Sequence, residues 1–205
     1  MSRGKFIVFE GLDGAGTSTQ LYLLRDYLLT KDIRVEVSQE PTNGPIGGAI
    51  RLAIEGRARL DPRSLALAFA ADRADHLFNE YNGVLPTLES GRWVISDRYV
   101  LSALAYQGAQ LGDFDWLESI NNFALTPDLT VYVDTSVDTC ASRFSLRSSH
   151  EELFHEKGKL RKVAAAFARA TRYGRFTGTL IVADGEKPAA EVFDSIRPAV
   201  DALMA

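Results

Sequence analysis

Residues 5–19 read Lys5-Phe6-Ile7-Val8-Phe9-Glu10-Gly11-Leu12-Asp13-Gly14-Ala15-Gly16-Thr17-Ser18-Thr19. The first six residues read as a buried strand around the apolar run Phe6–Phe9, and an amphipathic helical pattern follows from about Ser18 to Leu29. Between them, Gly11–Ser18 keeps the spacing of a phosphate-binding loop, G-x-x-x-x-G-K-[ST], with Thr17 where the lysine belongs. Such a loop holds phosphates mainly through backbone N–H groups at the start of the helix, which Gly11, Gly14 and Gly16 still permit. The Ser18 hydroxyl is a candidate ligand for Mg²⁺. Thr17 cannot bring the positive charge that β and γ phosphates meet in these loops. The spacing alone would also suit a glycine-rich turn that binds nothing. Its weight comes from the strand before it and the helix after it.

Outward from this stretch, short apolar runs alternate with helical ones. Strands are expected at Arg34–Ser38, Trp93–Ser96, Leu129–Asp134 and Thr179–Ala183. Glu40–Gly48 reads as a loop, rich in proline, asparagine and glycine. A helix is expected to start at Asp61-Pro62 and run to about Asn79, with a short one near Val84–Glu89. Further helices are expected near Tyr99–Gln107, Asp115–Ala124 and Ala189–Leu203, the last kinked or broken at Pro198. Ser145–Gly158 is the least regular stretch, and 145–158 is a candidate mobile lid or a solvated loop. The alternation predicts an α/β three-layer sandwich, a five-stranded parallel sheet flanked by helices, as one domain over 1–205.

Composition narrows the function. The chain has 205 residues, 46% hydrophobic, and carries 23 basic against 27 acidic side chains, a net charge of −4. That balance argues against nucleic acid as a partner. No apolar run approaches the ~20 residues that span a bilayer, and no export signal is read. The single Cys140 can form no intrachain disulfide. A cytoplasmic protein with no membrane or nucleic-acid partner is expected.

In an open parallel sheet, ligands bind at the carboxyl ends of the strands. Asp97 and Arg98 end the Trp93 strand, and Arg98, Ser102 and Tyr106 follow at helical spacing on one face. They read as a ligand wall, or else as an arginine paired with Asp97. On the Asp61 helix, Leu65, Phe69, Arg73 and Leu77 form a stripe with one charge inside it. A buried Arg73 needs an acceptor. Phe69 could stack on a planar ring whose edge Arg73 meets, or the pair is a core phenylalanine beside an arginine reaching the rim. Arg143 and Arg147 stand at the entrance to the candidate lid, where they could close on phosphates, or be neutralised by Glu151 and Glu152. His150 and His155 have no metal-ligand set around them in the sequence.

Taken together, these segments resemble the thymidylate kinase family over nearly the whole chain. The resemblance is carried by Phe9–Gly16, Glu40-Pro41, Phe69-Ala70-Ala71-Asp72-Arg73, Asp97-Arg98-Tyr99, Ser102, Ala105-Tyr106-Gln107-Gly108 and Pro127-Asp128-Leu129-Thr130. It implies a fold of the P-loop NTPase type and phosphoryl transfer from ATP to dTMP, giving dTDP and ADP. It also implies Mg²⁺ as cofactor and a homodimer. Residue by residue, it places ATP on Gly11, Leu12, Asp13, Gly14, Ala15, Gly16, Thr17, Ser18 and Thr19. It places thymine against Phe69 and Arg73 and the acceptor phosphate on Arg98 with Arg51. Tyr106 would crowd the sugar 2′ position, and Gln107, Ser102, Glu40 and Pro41 would complete the acceptor site. Asp13 would hold the sugar 3′-hydroxyl or help organise the metal, with Ser18 and Asp97 at the metal itself. Asp13, Arg98, Arg143 and Arg147 are the implied catalytic set, the arginines replacing the missing lysine. Two other readings remain open: a nucleotide-binding protein of the same fold with weak or no turnover, and a kinase for another nucleoside monophosphate.

Overall fold

The computed structural model describes residues 2–144 and 150–204. Among the described residues, five strands form one parallel sheet in the order β2-β3-β1-β4-β5. They are β1 (Phe6–Gly11), β2 (Val35–Gln39), β3 (Trp93–Asp97), β4 (Leu129–Asp134) and β5 (Thr179–Asp184). β1 is central and buried at every position, pairing with β3 on one side and β4 on the other. Its Phe-Ile-Val-Phe run suits a strand covered on both faces.

The helices are α1 (Thr17–Thr30), α2 (Pro45–Ile54), α3 (Pro62–Phe78), α4 (Val84–Glu89), α5 (Val100–Leu111), α6 (Phe114–Ile120), α7 (Val137–Phe144), α8 (His150–Ala170) and α9 (Ala189–Met204). From β1 the chain crosses through α1 to β2, while from β3 it crosses through α5 and α6 to β4, the opposite direction along the sheet. Right-handed crossovers in opposite directions put their helices on opposite faces. Accordingly α1 packs with α9, and α5 with α3, α6 and α8. The core closes through edge-on aromatic pairs, Phe6 with Tyr99 at 5.2 Å and Tyr27 with Phe193 at 5.7 Å between ring centres.

The expected strands are all present, as is the N-cap of α3, where Asp61 accepts from the Arg63 N–H at 2.8 Å. Four expectations are corrected. Glu40–Gly48 is a loop only as far as Gly44; α2 begins at Pro45, whose fixed φ suits a first helical position. The helix expected over 115–124 ends at Ile120. α7 and α8 were not foreseen, and residues 150–158 of the supposedly irregular stretch belong to α8. No break occurs at Pro198: α9 runs through it from Ala189 to Met204. Arg147 lies outside the described residues. Cys140 is fully buried on α7, a free thiol whose pKa burial pushes up to about 11.

Candidate active site

The strand order reverses direction at β1, so the crevice lies beyond the carboxyl ends of β1 and β3. The loop after β1 turns into α1 through Gly14 (φ 82°) and Gly16 (φ 101°), conformations that disfavour any side chain. Leu12 anchors the loop in the core at 2% exposure. Thr17 is buried too, with its methyl beside Gly11. A cavity of about 430 Å³ sits over the loop, lined by Asp13, Gly14, Gly16, Ser18, Arg98 and Arg143 among others.

The Ser18 hydroxyl donates to Asp97 Oδ2 at 2.5 Å, while the buried Asp97 Oδ1 has no hydrogen-bond partner among the described residues. A hydroxyl and a carboxylate with a spare oxygen at a phosphate loop suit Mg²⁺, a hard ion that takes its remaining ligands from phosphate and water. The residues therefore fit the metal.

Arg98 is the hinge of the site. It lies before α5, with φ at 73°, a left-handed conformation rare for a side chain of its kind. Its N–H donates to the Phe9 carbonyl at 2.9 Å, and its own carbonyl accepts from Ser96 Oγ at 2.9 Å, which pins that conformation. The guanidinium reaches Gly11 O at 2.7 Å, Asp13 Oδ1 at 2.6 Å and Ser102 Oγ at 3.1 Å, and sits 5.2 Å from the Tyr106 ring centre. The ion pair is therefore with Asp13, which the sequence did not single out as its partner. Burial alone would weaken the Arg98 charge; Tyr106, Asp13, Glu10 and Asp97 outweigh it, so its pKa is raised. The Tyr106 hydroxyl accepts from the Asp13 N–H at 3.1 Å. Its acidity is suppressed by burial.

A second cavity, about 360 Å³, opens beside this one. Phe69, Arg73, Arg98, Ser102, Tyr106 and Gln107 line it, with Glu40 and Pro41. It falls in the size range of small-ligand sites. Arg73 is 1% exposed, so the reading in which it reaches the rim is overturned. Its acceptors are Glu40 Oε2 at 2.5 Å and the Asn121 side-chain oxygen, leaving Nε buried without a partner. The other Glu40 oxygen meets His76 Nδ1 at 3.0 Å. Gln107 Oε1 is likewise buried and unmet. Both residues line the cavity and each keeps one buried polar atom unmet, and polar groups beside Phe69 in such a cavity suit a planar heterocycle. Arg51 does not itself line the cavity; its Nη1 donates at 3.1 Å to the carbonyl of Pro41, which does.

Arg143, on α7, lies against the phosphate loop, donating to Gly14 O at 2.9 Å, Ala15 O at 3.1 Å and Gly185 O at 3.1 Å. Beyond it a cleft of about 170 Å³ is bounded by Gly16, Thr19, Gln20, Arg143, Gly185 and Lys187. Sequence reasoning missed Glu10, Asp72, His76, Asn121, Gly185 and Lys187. Asp72 accepts from both the N–H and the hydroxyl of Thr42 at 2.7 Å, tying the Glu40-Pro41 loop, which contains a cis peptide, to α3. The one available signal was charge in apolar settings: Glu10 ends a core strand, and Asp72 and His76 flank Arg73 on α3.

The sequence profile of the thymidylate kinase family matches residues 9–196. The chain is 37% identical over 195 residues to a probable thymidylate kinase of Methanococcus aeolicus, covering 94% of this chain and 93% of that one. It is 36% identical over 207 residues to the thymidylate kinase of Carboxydothermus hydrogenoformans, covering 98% of each. It is 39% identical over 165 residues to the thymidylate kinase of Desulfotalea psychrophila, covering 80% of each. The parallel sheet and its phosphate loop are those of a P-loop NTPase, and the chain belongs to the thymidylate kinase family.

Proposed function

We propose that this chain transfers the terminal phosphoryl group of ATP to dTMP, giving dTDP and ADP, with Arg98 and Arg143 carrying the charge that Thr17 cannot. The observation behind this is that both guanidiniums line the cavity over the phosphate loop, Arg143 Nη1 lying 3.8 Å from where a Cβ on Gly16 would stand. One cation comes from the acceptor side and the other from the donor side.

In this reading dTMP occupies the cavity between α3 and α5. Phe69 lies against thymine, with Arg73 and Gln107 beside its polar edge. Tyr106 closes on the sugar, near Asp13, and Arg98 holds the phosphate. The triphosphate lies on the backbone N–H groups of Gly14–Thr19, with adenine in the cleft beside Arg143 and Lys187. Mg²⁺, bound by Ser18 and Asp97, supplies charge neutralisation at the phosphates. An ionised oxygen of the dTMP phosphate attacks the γ phosphorus, the bond to the β–γ bridging oxygen breaks, and ADP leaves with the electron pair. No general base is required, so the protein contributes alignment and positive charge.

The chain is further proposed to act in the cytoplasm, where nucleotide pools and a reducing milieu suit its free Cys140. It is also proposed to form a homodimer, for which the exposed Leu52, Ile54, Leu67 and Phe78 of α2 and α3 offer apolar surface.

The test is ADP release from Mg-ATP, with dTMP beside other nucleoside monophosphates as acceptors. Turnover selective for dTMP is expected, and Arg143→Ala should lower kcat by roughly 10²–10³, the usual cost of one preorganised charge-stabilising donor. Thr17→Lys in that background should recover part of the loss. Calorimetric binding of dTMP without turnover would replace this reading with that of a nucleotide-binding protein. That alternative is favoured by one observation, Thr17 itself.

A further inference from the structure

Glu10 is fully buried at the end of the central strand, next to the phosphate loop. It accepts a hydrogen bond from Ser102 Oγ through Oε2, and Oε1 is buried without a partner. Ser102 Oγ in turn accepts from Arg98 Nη1 at 3.1 Å. Carboxylate, hydroxyl and guanidinium thus form a chain from the core into the acceptor cavity, which Arg98 and Ser102 both line. A half-satisfied carboxylate in the core is expensive, and an amide of the same shape would avoid the charge.

We propose that Glu10 is a positioning residue for the acceptor phosphate: as a carboxylate it orients the Ser102 hydroxyl, and Ser102 holds the Arg98 guanidinium. The inference rests on the reading of Arg98 as the group that grips the phosphate of dTMP. An ionised Glu10 can only accept, so the Ser102 proton points inward and a lone pair faces Arg98. A neutral Glu10 can donate to that same oxygen and compete with Arg98 for it.

The charged and titratable groups facing Glu10 are Arg98 before α5, Glu40 after β2, Tyr99, and Tyr132 opposite it on β4. Burial raises the Glu10 pKa to about 7, against the opposing pull of Ser102 and Arg98. The switch between the two hydrogen-bond patterns therefore falls near neutral pH.

The experiment is calorimetry of dTMP and of thymidine, which lacks the phosphate, on wild type, Glu10→Gln, Ser102→Ala and the double variant from about pH 6 to 8. The titration of free dTMP is common to all four experiments, so ratios between the proteins cancel it. The Glu10→Gln to wild-type ratio of dTMP dissociation constants should be roughly 10 near pH 8, falling to about 2 near pH 6, as expected for losing one hydrogen bond to a charged group. For Glu10→Gln thymidine affinity should stay within about twofold, and the double variant should bind dTMP no worse than Ser102→Ala. Equal losses for thymidine, additive losses in the double variant, or a ratio independent of pH would overturn the proposal. Should Glu10→Gln not fold, Ser102→Ala decides: it must lose the pH dependence specific to wild type, and keeping it overturns the proposal. A wild-type chain that binds thymidine as tightly as dTMP would overturn the reading of Arg98 instead, and the inference with it.

Discussion

A guanidinium that is 1% exposed must have its charge met, and Arg73 has Glu40, Asn121 and the Tyr99 ring, 5.3 Å from its centre, to do so. Arg73→Ala would leave a buried carboxylate facing only His76, and should lower stability by about 3–5 kcal/mol in denaturant unfolding. Arg73→Lys keeps a charge but loses the fork, so dTMP affinity should fall more than stability does. Glu10 makes the opposite prediction. Its folded-state pKa of about 7 exceeds the ordinary 4.5, so the native state binds the proton more tightly than the unfolded chain. The contribution of Glu10 to stability is then highest below pH 4.5 and declines until pH passes about 7. Glu10→Gln should accordingly be more stable than wild type near pH 8, by up to about 3 kcal/mol, with little difference near pH 4. Urea unfolding at the two pH values checks it. That Arg73 needed an acceptor was legible, because a charge in an apolar stripe demands one. Which acceptor was not, since Glu40 and Asn121 are 33 and 48 residues away in the chain. Glu10 was passed over because an acidic residue ending an apolar run reads locally as the edge of a strand, and nothing local shows that it is buried.

Between residues and fold, α2 shows how turn-forming residues mislead. Pro41, Asn43, Gly44 and Pro45 make the stretch as far as Gly48 read as loop, yet α2 begins at Pro45 and holds two glycines whose roles differ. A Cβ on Gly47 would stand 2.0 Å from the Thr42 carbonyl oxygen, whereas one on Gly48 would meet nothing within 4 Å. Gly47 thus lets α2 lie against the turn that carries Glu40 and Pro41, while Gly48 is an ordinary helix-interior glycine. Gly47→Ala should destabilise by about 1–3 kcal/mol and weaken dTMP binding, since the displaced backbone supports the acceptor cavity. Gly48→Ala should be neutral or add up to about 1 kcal/mol. Thermal unfolding of the pair separates the two. α8 was missed for another reason. Its second half carries a clear stripe, Leu160, Val163, Phe167 and Ala170, which is buried, but Gly158 and the charges before it dilute the pattern. The strands, by contrast, were legible because burial on both faces forces apolar runs with little tolerance for interruption.

At the scale of the molecule, the crevice gathers side chains from the ends of β1, β2 and β3 and from α3, α5 and α7. The phosphate loop and the Asp97–Tyr106 segment were readable because each is local in sequence. The contact of Arg143 with the loop spans 129 residues and emerges only from the fold. That contact also tethers α7, together with the Lys157–Asp138 ion pair at 2.8 Å that joins α7 to α8. The buried sulfur of Cys140 lies on this same tethered helix. Its raised pKa keeps it a protonated thiol at neutral pH, so an alkylating reagent can reach a reactive thiolate only when α7 lifts away. The chain therefore carries its own clock for helix detachment, with a single chemically distinct atom and no engineered label. Adenine nucleotide should slow that clock, and removing the Arg143 guanidinium should quicken it roughly tenfold, so the rate of modification would report how firmly the donor-side cation is held.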